Sequence, residues 1–495
     1  MRAATIEHDG GVIVVFSSLL FVLAFLPLCY AVYAAVPGIK AKNVILLFFS
    51  LIFYAWGGPA LVLLLAGMTL VCYVGARLID GARSHRRLWL TLTLVICLGL
   101  LAVFKYTGFF LSNVKTLLGL SFAIPSITLP IGISFYTFQL LSYVIDVYRG
   151  EVPAQRRYWM LLLYASLFHQ CIAGPIIRYS DVNEELEKRT VTREGIARGI
   201  TRFASGLAKK AILANGCAAI VTELVEKPTN LASVSGAAIL LAAVAYMLEI
   251  YLDFSAYSDM AIGMGEMIGF HYLENFRYPY AAHSITEFWR RWHISLSSFF
   301  RDYVYIPLGG NRVSLPRQIL NLFAVWALTG LWHGASWNFV LWGLYYFVFL
   351  VIEKFIIRMK KQPTGLWRIP RTIYTLVVVL FGWMLFYYTD FSRLGTAVKG
   401  IFTLNGNRFW DMAAQSQLLT NLFFLLVACV ACTPVVPAVG RWLEGRRAAL
   451  SRDPSVGGRG FVVVYDAVCA VLPVVLVCLS VLALVGDSYN PFLYF

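Results

Sequence analysis

Residues 13–36 read IVVFSSLLFVLAFLPLCYAVYAAV, an apolar run with no charge in it. An apolar helix of about 20 residues crosses the hydrocarbon core of a bilayer, whereas a cleavable signal has a shorter core behind a basic start. Here Arg2 is offset by Glu7 and Asp9, so the run is expected to stay in the membrane. Residues 88–104, 370–389, 416–439 and 461–485 share its character. By the same length criterion the chain holds roughly ten to twelve such segments. Of its 495 residues, 59% are hydrophobic and 14% charged, against about a quarter charged in an ordinary soluble protein. The composition predicts an all-α integral membrane protein, with residues 1–495 forming one polytopic domain.

Formal net charge is +15, and its distribution argues against nucleic acid as the partner. The basic residues sit in short loops between apolar runs: Lys40 and Lys42, then Arg83, Arg86 and Arg87, then Arg149, Arg156 and Arg157, and later Arg441, Arg446, Arg447 and Arg452. That is the positive-inside pattern, so these loops are expected to face the cytoplasm. One further crossing over 461–485 then leaves the C-terminal tail, 487–495, outside. The nine cysteines lie in or beside apolar runs without zinc-type spacing and read as small membrane-buried residues. No metal-spaced His/Cys set, phosphate-binding glycine loop or Ser-His-Asp order appears. Residues 176–213 are charged and roughly amphipathic, which suits a helix at the cytoplasmic interface.

Four stretches could carry chemistry. In ALTGLWHGASWNFVLWG (327–343), Thr329 and Gly330 break one run and Gly334 with Ser336 can open the next helix. His333 is thus expected at or just before a helix N-terminus, where desolvation and the positive helix end both disfavour the imidazolium. A neutral histidine can act as a general base; a core histidine bonded to a backbone carbonyl is the plainer alternative. In HSITEFWRRWHISLSSFFRDYVYIPLGGNR (283–312), Ser284 and Glu287 form a capping box that should start a helix. Phe288, Trp292, Ser295 and Phe299 would share one of its faces. Arg290, Arg291 and Arg301 read first as interfacial anchors, and His293 as a partner for His333. YMLEIYLDFSAYSDMAIGMGE (246–266) places Glu249, Asp253, Asp259 and Glu266 in or beside an apolar helix, where they need partners. The three arginines are the expected ones, leaving the carboxylates structural or orienting. The tail SYNPFLYF (488–495) reads as an aromatic anchor, although its Tyr494 hydroxyl could carry an acyl group.

The segments LPIGISFYTFQLLSYVIDVYRG (129–150), IAGPIIRY (172–179), LDFSAYSDMAIGMG (252–265), SITEFWRRWHISLSSFFRDYVYIPLGGNR (284–312) and GLWHGASWNFVLWG (330–343) resemble the membrane-bound O-acyltransferase family, most of all its bacterial alginate O-acetylation branch. The motif core is 129–343. The resemblance implies a ring of spanning helices, with interfacial and re-entrant ones, around a thin centre. It places the catalytic histidine at His333 and a second functional histidine at His293, with Asp253, Asp259, Arg290, Arg291, Arg301 and Asn338 supporting or orienting them. Phe492-Leu493-Tyr494 is similar to an F-x-Y tail whose tyrosine relays an acyl group, but the chain ends one residue later. Leu344-Tyr345-Tyr346 follows the W-G pair where alginate-type proteins carry a histidine, and His169-Gln170 precedes A-G-P with the histidine shifted. The resemblance further implies a bacterial cytoplasmic (inner) membrane, no bound cofactor, and acetyl-CoA as the cytoplasmic thioester donor. The acceptor would be an extracytoplasmic polysaccharide, with an SGNH-type acetyltransferase as partner. D-alanyl transfer from a carrier protein, or transport of a small anion without chemistry, are the rival readings.

Overall fold

The computed structural model describes residues 15–82, 84–171, 174–357, 364–451 and 456–486. Among them the chain is helical and contains no strand. Six helices are long and apolar enough to cross a membrane, or seven if the pair Met412–Thr420 and Leu422–Ala431, bent by 61°, counts as one crossing. The roughly ten to twelve apolar runs outnumber these long helices because several are shortened or divided. The run at 13–36 yields the shorter helix Phe21–Ala35, and the run at 416–439 bends near Asn421 and breaks again before Val435–Leu450. The run at 88–104 grows instead into Arg86–Leu118, 33 residues long, taking Lys105 and Lys115 with it. Six of the cysteines are buried in the protein, whereas Cys429, Cys469 and Cys478 lie on outer helix faces.

The most enclosed span is Gly236–Met267, 32 residues long with 72% of its most apolar stretch buried, against 17% for Arg86–Leu118. Ser235 caps its start by accepting from the Ala238 amide. Against it packs Arg193–Ala208, capped by Thr192, whose hydroxyl accepts from Gly195 N at 3.0 Å. A Cβ added to Gly263 would meet Gly199 O at 2.7 Å, and one added to Gly206 would meet Ala256 O at 2.8 Å. Backbones this close tolerate only glycine. The amphipathic stretch at 176–213 is helical as expected but divided: it forms Tyr179–Glu187 and Arg193–Ala208, and the latter buries its small-residue face against the central span.

That packing also overturns the expected carboxylate partners. Asp253 pairs with Lys210 at 2.8 Å, both almost fully buried. Asp259 meets Arg202 at 2.9 Å and also Lys209, and Glu266 meets Arg198 at 2.6 Å. The neighbouring helix lines up its cations with the carboxylates, so the distant arginines are not needed. Arg291 pairs instead with Glu287 one turn back, Arg301 with Asp302, and Arg290 is exposed.

Candidate active site

Leu315–His333 and Trp337–Val351 form a tight hairpin, and His333 stands at its turn. Two glycines make the approach possible. A Cβ on Gly330 would lie 2.4 Å from Phe339 O, and one on Gly343 would lie 2.3 Å from Trp326 O. Thr329-Gly330 does not break the first helix but lies within it, so His333 is that helix's last residue. This corrects the expected N-terminal position: the nearer helix end is a C-terminus, whose partial negative charge favours a cation. Of the two expected causes of a neutral imidazole, only desolvation remains.

The surroundings supply it. Trp332 and Trp342 stand nearly perpendicular to the His333 ring, at centroid distances of 4.9 and 4.8 Å, and Phe386 lies at 5.5 Å. Two apolar cores meet here. One contains Trp332 with Phe135 and Phe138; the other contains Trp342, Trp292, Trp289 and Phe386. His333 itself keeps part of its surface open.

His293 packs against the same indole, 5.7 Å from Trp332 between centroids. The expected capping is present: Ser284 Oγ accepts from Glu287 N at 3.0 Å, while the Glu287 carboxylate accepts from His283 N. The helix does not run on. It stops at Arg291, and His293, at φ 42°, caps a second helix, Ile294–Phe300. Phe288, Trp292, Ser295 and Phe299 therefore do not form one continuous stripe. The break turns His293 inward, 1% exposed, and burial disfavours its charged form.

Its tautomer follows from its neighbours. Asn275 Oδ1 accepts from the Ser295 amide at 3.2 Å and the Ser295 hydroxyl at 2.9 Å, which identifies that atom as the oxygen. His293 Nδ1 lies 3.2 Å from the same oxygen and 3.4 Å from Ser295 Oγ; with the hydroxyl proton spent on the shorter contact to Asn275, Nδ1 is assigned as the N–H donor. Nε2 is left as a buried acceptor with no hydrogen-bond partner among the described residues.

Several residues that hold the site were not singled out in the sequence. From Arg86–Leu118, Lys105 donates to the Trp332 carbonyl and to Ser134 Oγ, Tyr106 OH donates to Leu331 O at 2.7 Å, and Asn113 accepts from Trp337 Nε1 at 2.8 Å. The Lys105 and Tyr106 contacts secure carbonyls at the end of the His333 helix, and Asn113 ties the start of the next. Buried Glu353 accepts from Ile285 N at 2.6 Å and Thr286 N at 2.9 Å, anchoring the short helix ahead of His293. The usable signal was Lys105 itself, a cation in the middle of a long apolar helix. Asn338, which was singled out, is buried and donates to Phe386 O at 3.0 Å, so it supports the aromatic wall beside His333. Asp253 and Asp259 hold the central span through Lys210, Lys209 and Arg202. No ion pair joins Arg290, Arg291 or Arg301 to these two carboxylates among the described residues. Tyr494 lies outside the described residues.

Buried His293 and partly open His333 meet at a hairpin turn in an all-α chain with membrane-spanning helices. The sequence model of the membrane-bound O-acyltransferase family matches residues 157–394. The probable alginate O-acetylase of Azotobacter vinelandii is 36% identical over 97% of this chain and 99% of its own length. The peptidoglycan O-acetyltransferase of Helicobacter pylori is 32% identical over 85% of this chain and 86% of its own length. The teichoic acid D-alanyltransferase of Bacillus subtilis is 28% identical over 52% of this chain and 68% of its own length. The chain belongs to the membrane-bound O-acyltransferase family, in the branch like the alginate O-acetylases. It is a multi-pass membrane O-acyltransferase of the acetyltransferase kind.

Proposed function

We propose that the chain takes an acetyl group from cytoplasmic acetyl-CoA and delivers it for O-acetylation of an extracytoplasmic polysaccharide of the alginate, cellulose or peptidoglycan kind. One observation carries this reading: two histidines pack against a single indole, that of Trp332, at the turn of the hairpin. Uncharged His333 removes the proton of an acceptor hydroxyl as its oxygen attacks the thioester carbonyl carbon. His293, with Nδ1–H held by Asn275, offers Nε2 as an acceptor that holds the hydroxyl until its one proton turns to His333. Basic loops on the cytoplasmic side attract the anionic donor.

In its fuller form the first acceptor is the Tyr494 hydroxyl. The C-terminal tail then lies outside the cytoplasmic membrane, where an SGNH-type acetyltransferase collects the acyl group. General-base assistance is worth on the order of 10²–10⁴-fold. Replacing His333 by Ala should therefore nearly abolish loss of label from acetyl-CoA by reconstituted protein, while the variant stays folded and inserted. Tyr494→Phe should remove any covalent label on the chain. Near-normal turnover by His333→Ala would overturn the mechanism, and flux across vesicles without an acyl product would overturn the enzyme reading of this site. Turnover with an aminoacyl carrier protein but not with acetyl-CoA would replace the donor.

A further inference from the structure

The tautomer of His293 raises a question of charge. When the acceptor oxygen bonds to the thioester carbon, the carbonyl electron pair moves onto oxygen, and this oxyanion needs a hydrogen-bond donor or a cation. Neutral His293, with its proton committed to Asn275, supplies neither. His333 is occupied with the proton from the hydroxyl.

Lys105 is placed to answer. An ammonium has three N–H donors. Among the described residues that of Lys105 meets two acceptors, Ser134 Oγ at 3.0 Å and the Trp332 carbonyl, and no carboxylate. One proton is unspent and the charge has no counter-ion, on a helix that crosses the membrane. Charges in that setting are ordinarily paired. The cation lies 5.6 Å from the centre of the Trp332 ring, which packs directly on His333. Lys105 and His333 each keep part of their surface open. The neighbourhood also has donors to spare: the indole N–H groups of Trp332 and Trp342, both buried, have no acceptor among the described residues. A lining rich in donors suits an oxygen that gains negative charge.

We propose that Lys105 stabilises the oxyanion of acyl transfer, holding the end of the His333 helix with one proton and presenting another to the thioester oxygen. The inference rests on the acyl-transfer reading of this site. When the tetrahedral intermediate collapses, the C–S bond breaks, the electron pair on oxygen returns to the carbonyl, and the leaving thiolate takes the proton held by His333.

Lys105→Gln separates this role from a helix clamp, because glutamine keeps an N–H for the Trp332 carbonyl and loses the charge. Full-length variants in lipid vesicles, with labelled acetyl-CoA as the probe, should show kcat reduced by roughly 100–1000-fold, the loss typical of removing one oxyanion donor. KM and melting temperature should stay close to the parent's. Lys105→Arg keeps the charge and should hold kcat within about 10-fold; it also serves if the glutamine variant cannot be obtained folded. Parental kcat in Lys105→Gln, or a loss in Lys105→Arg as deep as that of His333→Ala, would overturn the proposal. If His333→Ala itself keeps turning over, the acyl-transfer mechanism falls first and this inference with it. If His333→Ala is inactive while Lys105→Gln is not, only the role of Lys105 is lost.

Discussion

At position 293 the backbone sits at φ 42° and ψ 57°, in the left-handed region. A residue with a Cβ pays roughly 1–2 kcal/mol there, and Asn, Asp and His are the side chains that tolerate it best. His293→Ala thus mixes loss of the imidazole with loss of a tolerant side chain, whereas His293→Asn removes the ring alone. We expect His293→Asn to melt with the parent and to lose acetyl turnover by about 100-fold, the lower end of the effect of a positioned acid–base group. His293→Val should melt measurably lower. Full turnover in His293→Asn would leave that imidazole without a chemical task. At this scale the sequence was informative where one residue contrasts with its own surroundings. His333 and His293 stood out as ionisable groups at apolar depth, and Ser284 as a cap. Lys105 and Asn275 did not, because their roles depend on partners 227 and 18 residues away.

The hairpin shows how a motif serves its element. Gly330 and Gly343 bring two helices into backbone contact, with their Cα regions meeting so closely that an added Cβ on either would strike a carbonyl oxygen. Such a clash cannot be relieved by a rotamer change, and overpacking of this kind costs about 1–3 kcal/mol. Gly343→Ala should lower the melting temperature and reduce turnover together, although the substitution lies away from the imidazole. Unchanged melting would mean that the two helices can separate without cost. The same contact explains why the helix boundary was misread. Thr329-Gly330 looks like a breaker in one sequence, yet the glycine is there for the neighbouring helix. Apolar runs announce spans; bends such as the one near Asn421 depend on what the span packs against.

At the scale of the whole molecule, the central span and its partner helix share a row of ion pairs whose exposure changes along their length. Lys210 and Asp253 are 2% and 1% exposed; Arg202 and Asp259 are 27% and 22%; Arg198 and Glu266 are 61% and 16%. Removing one partner of a buried pair costs about 3–5 kcal/mol, while exposed pairs contribute little and are screened by salt. Lys210→Met should therefore lower the melting temperature sharply at both low and high salt. Arg198→Gln should have a small effect at low salt that disappears near 1 M. Equal losses would contradict the exposure gradient. The sequence announced the carboxylates on this span but not their partners, because the register between two helices is set by Gly199, Gly206 and Gly263 in three dimensions. A helix of 32 residues at about 1.5 Å per residue is near 48 Å long, well beyond a hydrocarbon slab of about 30 Å. The surplus has to emerge or be absorbed by tilt, and the end bearing Glu266 is the one dressed for water. The ladder of charges runs from a rung sealed inside the protein at Lys210 to one open at the surface at Arg198.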